Sequence, residues 1–162
     1  MKVLVSAASK HGATAEIAER IGSILSGHDL DVTVAEPSEN VAIDDYGAFV
    51  LGSAVYAGHW RQEAKELADR VAQLDPSPDT WLFSSGPLGD PLKPDEAPVD
   101  VAAIVEALTP HDHRVFAGKI DKKNLGFGER AILIAVHAPE GDFRDWAAIE
   151  SWAAGIAETL QA

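Results

Sequence analysis

Short apolar runs alternate along this chain with longer stretches in which apolar residues recur every three or four positions. The short runs are typical of buried strands, and the longer period is that of an amphipathic helix. From this pattern we predict strands at Lys2–Val5, Leu30–Val34, Ala48–Gly52, Trp81–Ser84 and His113–Gly118. We predict helices at Ala13–Ser26, Arg61–Leu74, Val101–Leu108 and Trp146–Leu160.

This alternation of strands and helices predicts an α/β fold, a parallel sheet with helices on both faces. The run Arg130–His137 fits a strand or a helix equally well, and Lys119–Glu129 has no clear pattern. No internal repeat or linker is visible, so we expect residues 1–162 to form a single domain. Ligands of such sheets bind beyond the carboxyl ends of the strands, where the strand order reverses.

Three loops rich in small residues follow predicted strands, and all three would meet at one edge if the first strand is central. They are Ser6–Thr14, Ser53–Trp60 and Ser84–Pro91. The first leads directly into a helix, whose opening N–H groups and dipole favour an anion such as phosphate. Ser9 and Thr14 would add hydroxyl donors, and Lys10 a positive charge. The alternative is a strand-to-helix turn in which these polar residues only cap the helix.

The other two loops favour a flat ligand with a polar rim. Their small residues would let backbone N–H and C=O groups line its edge, and the ring of Tyr56 or Trp60 could lie against its face. Trp60 could instead pack on the helix that follows. A phosphate at one end and a flat ring at the other describe flavin mononucleotide (FMN), which we predict as the cofactor.

Composition narrows the classes of function. The formal net charge is −13, and no basic patch of the kind that binds nucleic acid is present. The chain has no cysteine, which excludes disulfides and thiol chemistry. We see no signal peptide or apolar run long enough to span a membrane, and we expect a cytoplasmic protein with basic redox partners.

Several polar and aromatic residues have simpler explanations than chemistry. His111, Asp112 and His113 resemble a metal cluster by type, but their position before a strand predicts surface residues instead. Trp81, Trp146 and Trp152 are predicted core residues, and Asp145 a helix N-cap. Arg144, with Asp142 and Asp145, suggests a charge arrangement at a helix start. No nucleophile has a base at a recognisable spacing, so we predict no catalytic side chain.

The chain resembles the flavodoxin-like proteins over essentially its whole length. Four segments carry the resemblance to a branch that includes the menaquinone-dependent protoporphyrinogen dehydrogenases: Ala8–Thr14, Gly52–His59, Phe116–Lys119 and Gly141–Trp146. The resemblance implies a three-layer fold with a five-stranded parallel sheet, order 2-1-3-4-5, and FMN bound without a covalent bond. Two features depart from the family: Lys10 and His11 stand where hydroxyl residues are usual, and the strand-4 loop has no aromatic residue.

The resemblance also implies which residues bind the cofactor. The phosphate would be held by Ser9, Lys10, His11, Gly12, Ala13 and Thr14. The ring would lie along Ser53, Ala54, Val55, Tyr56, Ala57 and Gly58, and be closed in by Ser85, Gly86, Pro87, Leu88 and Gly89.

These observations leave three functions open. The first is an FMN-binding redox protein, either an electron carrier or an FMN-dependent oxidoreductase acting with a partner protein, a quinone or a small molecule. The second is a quinone-dependent protoporphyrinogen IX dehydrogenase. That branch has a basic, aromatic segment after the fifth strand, and Lys122–Gly128 matches it only weakly. The third is a binding module of the same shape without a cofactor. The sequence does not distinguish FMN from a deazaflavin, and it leaves the oligomeric state open.

Overall fold

The computed structural model describes residues 1–9, 12–56, 59–86, 101–117, 119–120, 141–142 and 144–162. The strands are β1 (Lys2–Ala8), β2 (Asp31–Ala35), β3 (Ala48–Tyr56), β4 (His59–Trp60), β5 (Asp79–Gly86), β6 (His113–Ala117), β7 (Lys119–Ile120) and β8 (Gly141–Asp142). The helices are α1 (Ala13–Gly27), α2 (Gln62–Ala72), α3 (Val101–Leu108) and α4 (Trp146–Gln161). Of these helices, none combines the length and the hydropathy needed to cross a membrane.

The main sheet has the strand order β2-β1-β3-β5-β6, with β4 paired beside β3. The five strands of this order pair in parallel, and β4 is antiparallel to β3. Because β5 and β6 are the fourth and fifth predicted strands, the predicted order 2-1-3-4-5 is confirmed. A separate two-stranded sheet pairs β7 with β8.

Two apolar clusters cover the two faces of the sheet, as alternating side chains of buried strands require. On one face Val3, Val5, Val50 and Phe83 pack against α1 and α4. On the other face the cluster contains residues of α2 and α3 together with alternate strand residues, among them Leu4, Phe49, Leu51 and Leu82. The predicted helices on both faces are therefore confirmed.

Aromatic packing fixes the first of these faces. Phe83, Phe116 and Trp152 form a cluster with ring centroids 5.5–6.2 Å apart. The ring of Phe83 lies over Gly52, where an added Cβ would come within 2.4 Å of it. Trp81 and Trp152 are buried and Trp146 is half-buried, as predicted for core residues.

The predicted loops are shorter in the structure, because the strands continue further than the apolar runs indicated. β1 extends to Ala8 and β5 to Gly86, so Ser85 and Gly86 are strand residues. The prediction of a loop over Ser53–Trp60 was wrong, because β3 continues to Tyr56 and β4 follows it. These residues are small but still pair with their neighbours, which a pattern of hydrophobicity does not reveal.

Candidate functional site

The carboxyl ends of β1, β3 and β5 lie side by side. In the register of the sheet Ala8 is opposite Ser53, Ser53 is opposite Ser84, and Ala54 is opposite Ser85. The strand order reverses between β1 and β3, so this edge has the position at which open α/β sheets bind ligands. The ends of the three strands before the predicted loops therefore lie at one edge, as expected from the sequence.

The start of α1 lies at this edge and is open. Gly12 precedes the helix with φ at +89°, in the left-handed region that glycine occupies without strain. Its N–H donates to Ser9 Oγ at 2.9 Å, and its carbonyl accepts the first helical hydrogen bond from Glu16 N–H. No side chain caps the helix at Gly12, and the N–H groups of the first turn point beyond the helix end.

Thr14 adds a hydroxyl in the first turn of α1. The residue is only 3% exposed, and its side chain makes no hydrogen bond to another residue in the described part of the chain. This hydroxyl can therefore donate to or accept from a ligand that binds at the helix end. Ala13 is half-buried beside it. Lys10 and His11, the other predicted phosphate residues, lie outside the described residues.

Ser53 holds the turn between β3 and α2 rather than presenting a free hydroxyl. Its Oγ donates to the carbonyl of Ala54 at 2.7 Å and accepts from Arg61 N–H at 2.9 Å. Ala54 is buried, and Val55 packs into the core beneath α2. These residues would thus contact a ligand through their backbone groups, and the small side chains of Ser53 and Ala54 would let it approach.

The predicted contact between Tyr56 and a flavin ring falls on a side chain outside the described part. Its backbone pairs with His59 at the end of β3. Ala57 and Gly58 lie outside the described residues, as do Pro87, Leu88 and Gly89 of the third loop. Ser85, the first predicted residue of that loop, is only 4% exposed and ends β5 together with Gly86.

Trp60 lies below the site and not in it. It is 3% exposed and packs in the cluster that contains Leu67 of α2, which was one of the two predicted alternatives. Its indole Nε1–H donates to Ser84 Oγ at 2.8 Å, and Ser84 Oγ is hydrogen-bonded to His113 Nε2 at 2.9 Å. This chain of hydrogen bonds ties β4, β5 and the first residue of β6 together.

The prediction that His113 is a surface residue was wrong, because it is half-buried and bonded to Ser84. Burial lowers the pKa of His113 below its usual value, against the opposing charge of Asp112. A neutral imidazole can accept the Ser84 hydroxyl hydrogen. His111 is exposed, as predicted, and stacks on Trp81. Within the described residues no three His, Cys, Asp or Glu residues are placed to hold a metal ion.

Arg144 contacts the start of α1, which sequence reasoning missed. Its side chain is 4% exposed, its Nη1 donates to the carbonyl of Ala13 at 3.2 Å, and the same atom lies 3.5 Å from Glu16 Oε1. Two further bonds, of 2.9 and 2.7 Å, run to the carboxylate of Asp142. The run Gly141–Trp146 was noticed in the sequence, but not the contact with a residue more than a hundred positions away.

A second concave region lies at the opposite edge of the sheet. A groove of about 430 Å³ opens between α4 and the amino-terminal ends of β5 and β6, lined by Trp81, Asp112, Arg114 and Trp152 among others. Ligands of parallel sheets bind at the carboxyl edge, so this groove is not the predicted site.

The residues present at the carboxyl edge fit FMN. The uncapped first turn of α1 and the hydroxyl of Thr14 match a phosphate, and the small strand ends of β3 and β5 leave room for a flat ring. The guanidinium of Arg144 pairs with the carboxylate of Glu16 at the same helix end.

Comparisons with solved structures give the same fold. A flavodoxin from the domain Archaea is 19% identical over 100% of both chains, with a TM-score of 0.65. A Streptococcus pneumoniae flavodoxin is 18% identical, with a TM-score of 0.64, over 99% of this chain and 98% of that one. The rubredoxin:oxygen oxidoreductase of Desulfovibrio gigas is 15% identical, with a TM-score of 0.66. The match covers 99% of this protein and 36% of the oxidoreductase chain.

Comparison with family models identifies the family. Among curated proteins none matches this sequence. The model of the flavodoxin domain matches residues 4–146, most of the chain. This match confirms the predicted cofactor, because FMN is the cofactor of that family. The chain therefore belongs to the flavodoxin domain family.

Proposed function

We propose that this chain binds FMN at the carboxyl edge of its sheet and acts as an electron carrier between redox partners. One observation carries the proposal: an uncapped helix start lies beside three aligned strand ends made of small residues. The bound flavin would supply the redox chemistry at its ring system. The protein would bind, orient and shield it.

The phosphate would lie at the first turn of α1, against the N–H groups of Ala13 and Thr14, and Gly12 would let it approach the backbone closely. Ser9, Lys10 and His11 would complete this part of the site. The ring would run along Ser53–Gly58 and be closed in by Ser85–Gly89. Because Ser53 already bonds within the chain, its backbone and not its hydroxyl would face the ring.

The acidic character of the chain supports docking on basic redox proteins in the cytoplasm, with residues 1–162 acting as one domain. A net charge of −13 steers oppositely charged partners, and the attraction weakens as salt is added. We expect the reduced protein to pass electrons to a basic cytochrome at a rate that falls with ionic strength. An equal rate at low and high salt would argue against this kind of partner.

Titration of the cofactor-free protein with FMN tests the proposal directly. FMN should raise the free energy of unfolding by about 2.7 kcal/mol when it is present at about a hundred times its Kd, because it binds only the folded state. Mass spectrometry of the released ligand distinguishes FMN from a deazaflavin. A protein that shows no flavin absorption and no stabilisation by FMN would be the cofactor-free binding module instead.

A second candidate is a quinone-dependent protoporphyrinogen IX dehydrogenase. The run Gly141–Trp146, which resembles that branch of the family, favours it. Within this run Arg144 bonds to α1 and is itself bonded to Asp142. Lys122–Gly128, the counterpart of the branch's basic segment, lies outside the described residues. Incubation of the FMN-loaded protein with protoporphyrinogen and a quinone tests this function, and no porphyrin above the uncatalysed rate would reject it.

A further inference from the structure

The guanidinium of Arg144 is fixed from several sides. Asp142 accepts two hydrogen bonds from it, at 2.9 and 2.7 Å, in the fork geometry that makes arginine–carboxylate pairs specific. One face of Trp146 lies 4.7 Å from its central carbon, within the range of a cation–π interaction. These contacts leave the group little freedom to turn.

The same group reaches across to the helix that begins the proposed phosphate site. Nη1 donates to the carbonyl of Ala13, the first residue of α1, at 3.2 Å. The peptide group of this carbonyl supplies the N–H of Thr14, one of the donors assigned to phosphate. A bond at the carbonyl therefore sets the plane in which that N–H points.

Arg144 also compensates a charge that opposes anion binding. Glu16 is the acidic residue in the first turn of α1, and its carboxylate lies 3.5 Å from Nη1. Left unpaired, this carboxylate would repel a phosphate at the same helix end. The hydrogen bond to Asp142 raises the pKa of Arg144 above its usual value, with burial opposing, so the group stays charged throughout the physiological range.

We propose that Arg144 is a positioning residue of the anion site: it orients the first turn of α1 through the Ala13 carbonyl and offsets the charge of Glu16. This role rests on the proposed function, since it presumes that the first turn binds the phosphate of FMN. Arg144 would act on the phosphate through α1, without contributing to the binding of the ring.

The test compares FMN with riboflavin, which has the same ring but no phosphate. We expect Arg144→Met to weaken FMN binding about tenfold, the effect of losing a hydrogen bond that involves a charged group, and to change riboflavin binding by less than about twofold. An equal loss for both ligands would mean that Arg144 only supports the fold. Unchanged binding of both would also overturn the proposal.

Arg20→Met is the matched control. Arg20 lies over the ring of Trp146 at the same 4.7 Å and pairs with Glu150, and its contacts are away from the first turn of α1. We expect its binding of both flavins to stay within about twofold of the unsubstituted protein. A loss of FMN affinity equal to that of Arg144→Met would show that the aromatic stack matters and not the bond to Ala13.

Arg144→Lys keeps the test valid if the methionine variant does not fold. Lysine keeps the charge but lacks the planar fork, so it cannot bond to Asp142 with two nitrogens and also to Ala13 in the same geometry. We expect a selective loss of FMN affinity, smaller than that of the methionine variant. Full FMN affinity in the lysine variant would overturn the positioning role. If the unsubstituted protein binds neither flavin, the proposed function fails first, and the two failures are thereby distinguished.

Discussion

Two helices of this protein begin in opposite ways. At α4 the carboxylate of Asp145 accepts a hydrogen bond from Ala148 N–H at 3.1 Å, so the protein itself caps the helix, as predicted. At α1 the residue before the helix is Gly12, which has no side chain and a left-handed φ. The first helix end is thus left open to a ligand, and the second is closed by the chain.

The two helix starts differ in whether their N–H groups are used for stability or are left for a ligand. A side-chain cap satisfies N–H groups that otherwise have no partner within the helix, and it stabilises a protein by about 1 kcal/mol. At α1 this stabilisation is absent, and the open end lies at the carboxyl edge of the sheet. An anion that binds there gains the helix dipole and hydrogen bonds from N–H groups that no described side chain caps.

The largest expected effect comes from giving α1 the kind of cap that α4 has. Gly12→Asp would place a carboxylate where we propose the phosphate binds, and like charges this close lower FMN affinity by about a hundredfold. Gly12→Asn is the control, because asparagine has the same size and tolerates the same left-handed φ without the charge. Fluorescence titration measures the affinity of each variant for FMN and for riboflavin. Equal FMN affinity in the two variants would place the phosphate elsewhere.

A smaller effect is expected from Thr14 of α1. Thr14→Val keeps the shape and removes the hydroxyl, so FMN affinity should fall about tenfold. The free energy of unfolding of the cofactor-free protein should change by less than about 1 kcal/mol, because no hydrogen bond to another described residue is lost. Thr14→Ser, which keeps the hydroxyl, should bind FMN nearly normally. Titration and urea unfolding give the two quantities, and a valine variant with normal FMN affinity would remove Thr14 from the site.

The smallest effect is expected from opening α4. Asp145→Ala should reduce the free energy of unfolding by about 1 kcal/mol, while Asp145→Asn, which can still cap the helix, should reduce it by much less. Neither substitution should lower FMN affinity by more than about twofold, because this cap stabilises the fold and does not contact the proposed site. Urea unfolding measures the stability. A loss of FMN affinity as large as that of Thr14→Val would mean that the two helix ends are not separate in function.

Hydrophobic periodicity was sufficient to predict the alternation of strands and helices and the helices on both faces, whereas the strand order came from the family resemblance. It was sufficient because the three central strands, β1, β3 and β5, are buried on both faces and read as apolar runs. It failed at Ser53–Tyr56, which looked like a loop because its residues are small. There the hydrogen bonds to the adjacent strand, β5, decide the structure, and they depend on neighbours distant in the sequence.

The fold and the cofactor class could be predicted before any coordinates were available, because local periodicity predicts the helices and strands, and the three loops and their resemblance to the flavodoxin-like proteins predict FMN. Only the three-dimensional contacts show that Trp60 packs beneath the site and bonds to Ser84, and that Arg144 bonds to Ala13. Such contacts join residues far apart along the chain. They exist only once the sheet has brought its strand ends together, so no local pattern could encode them.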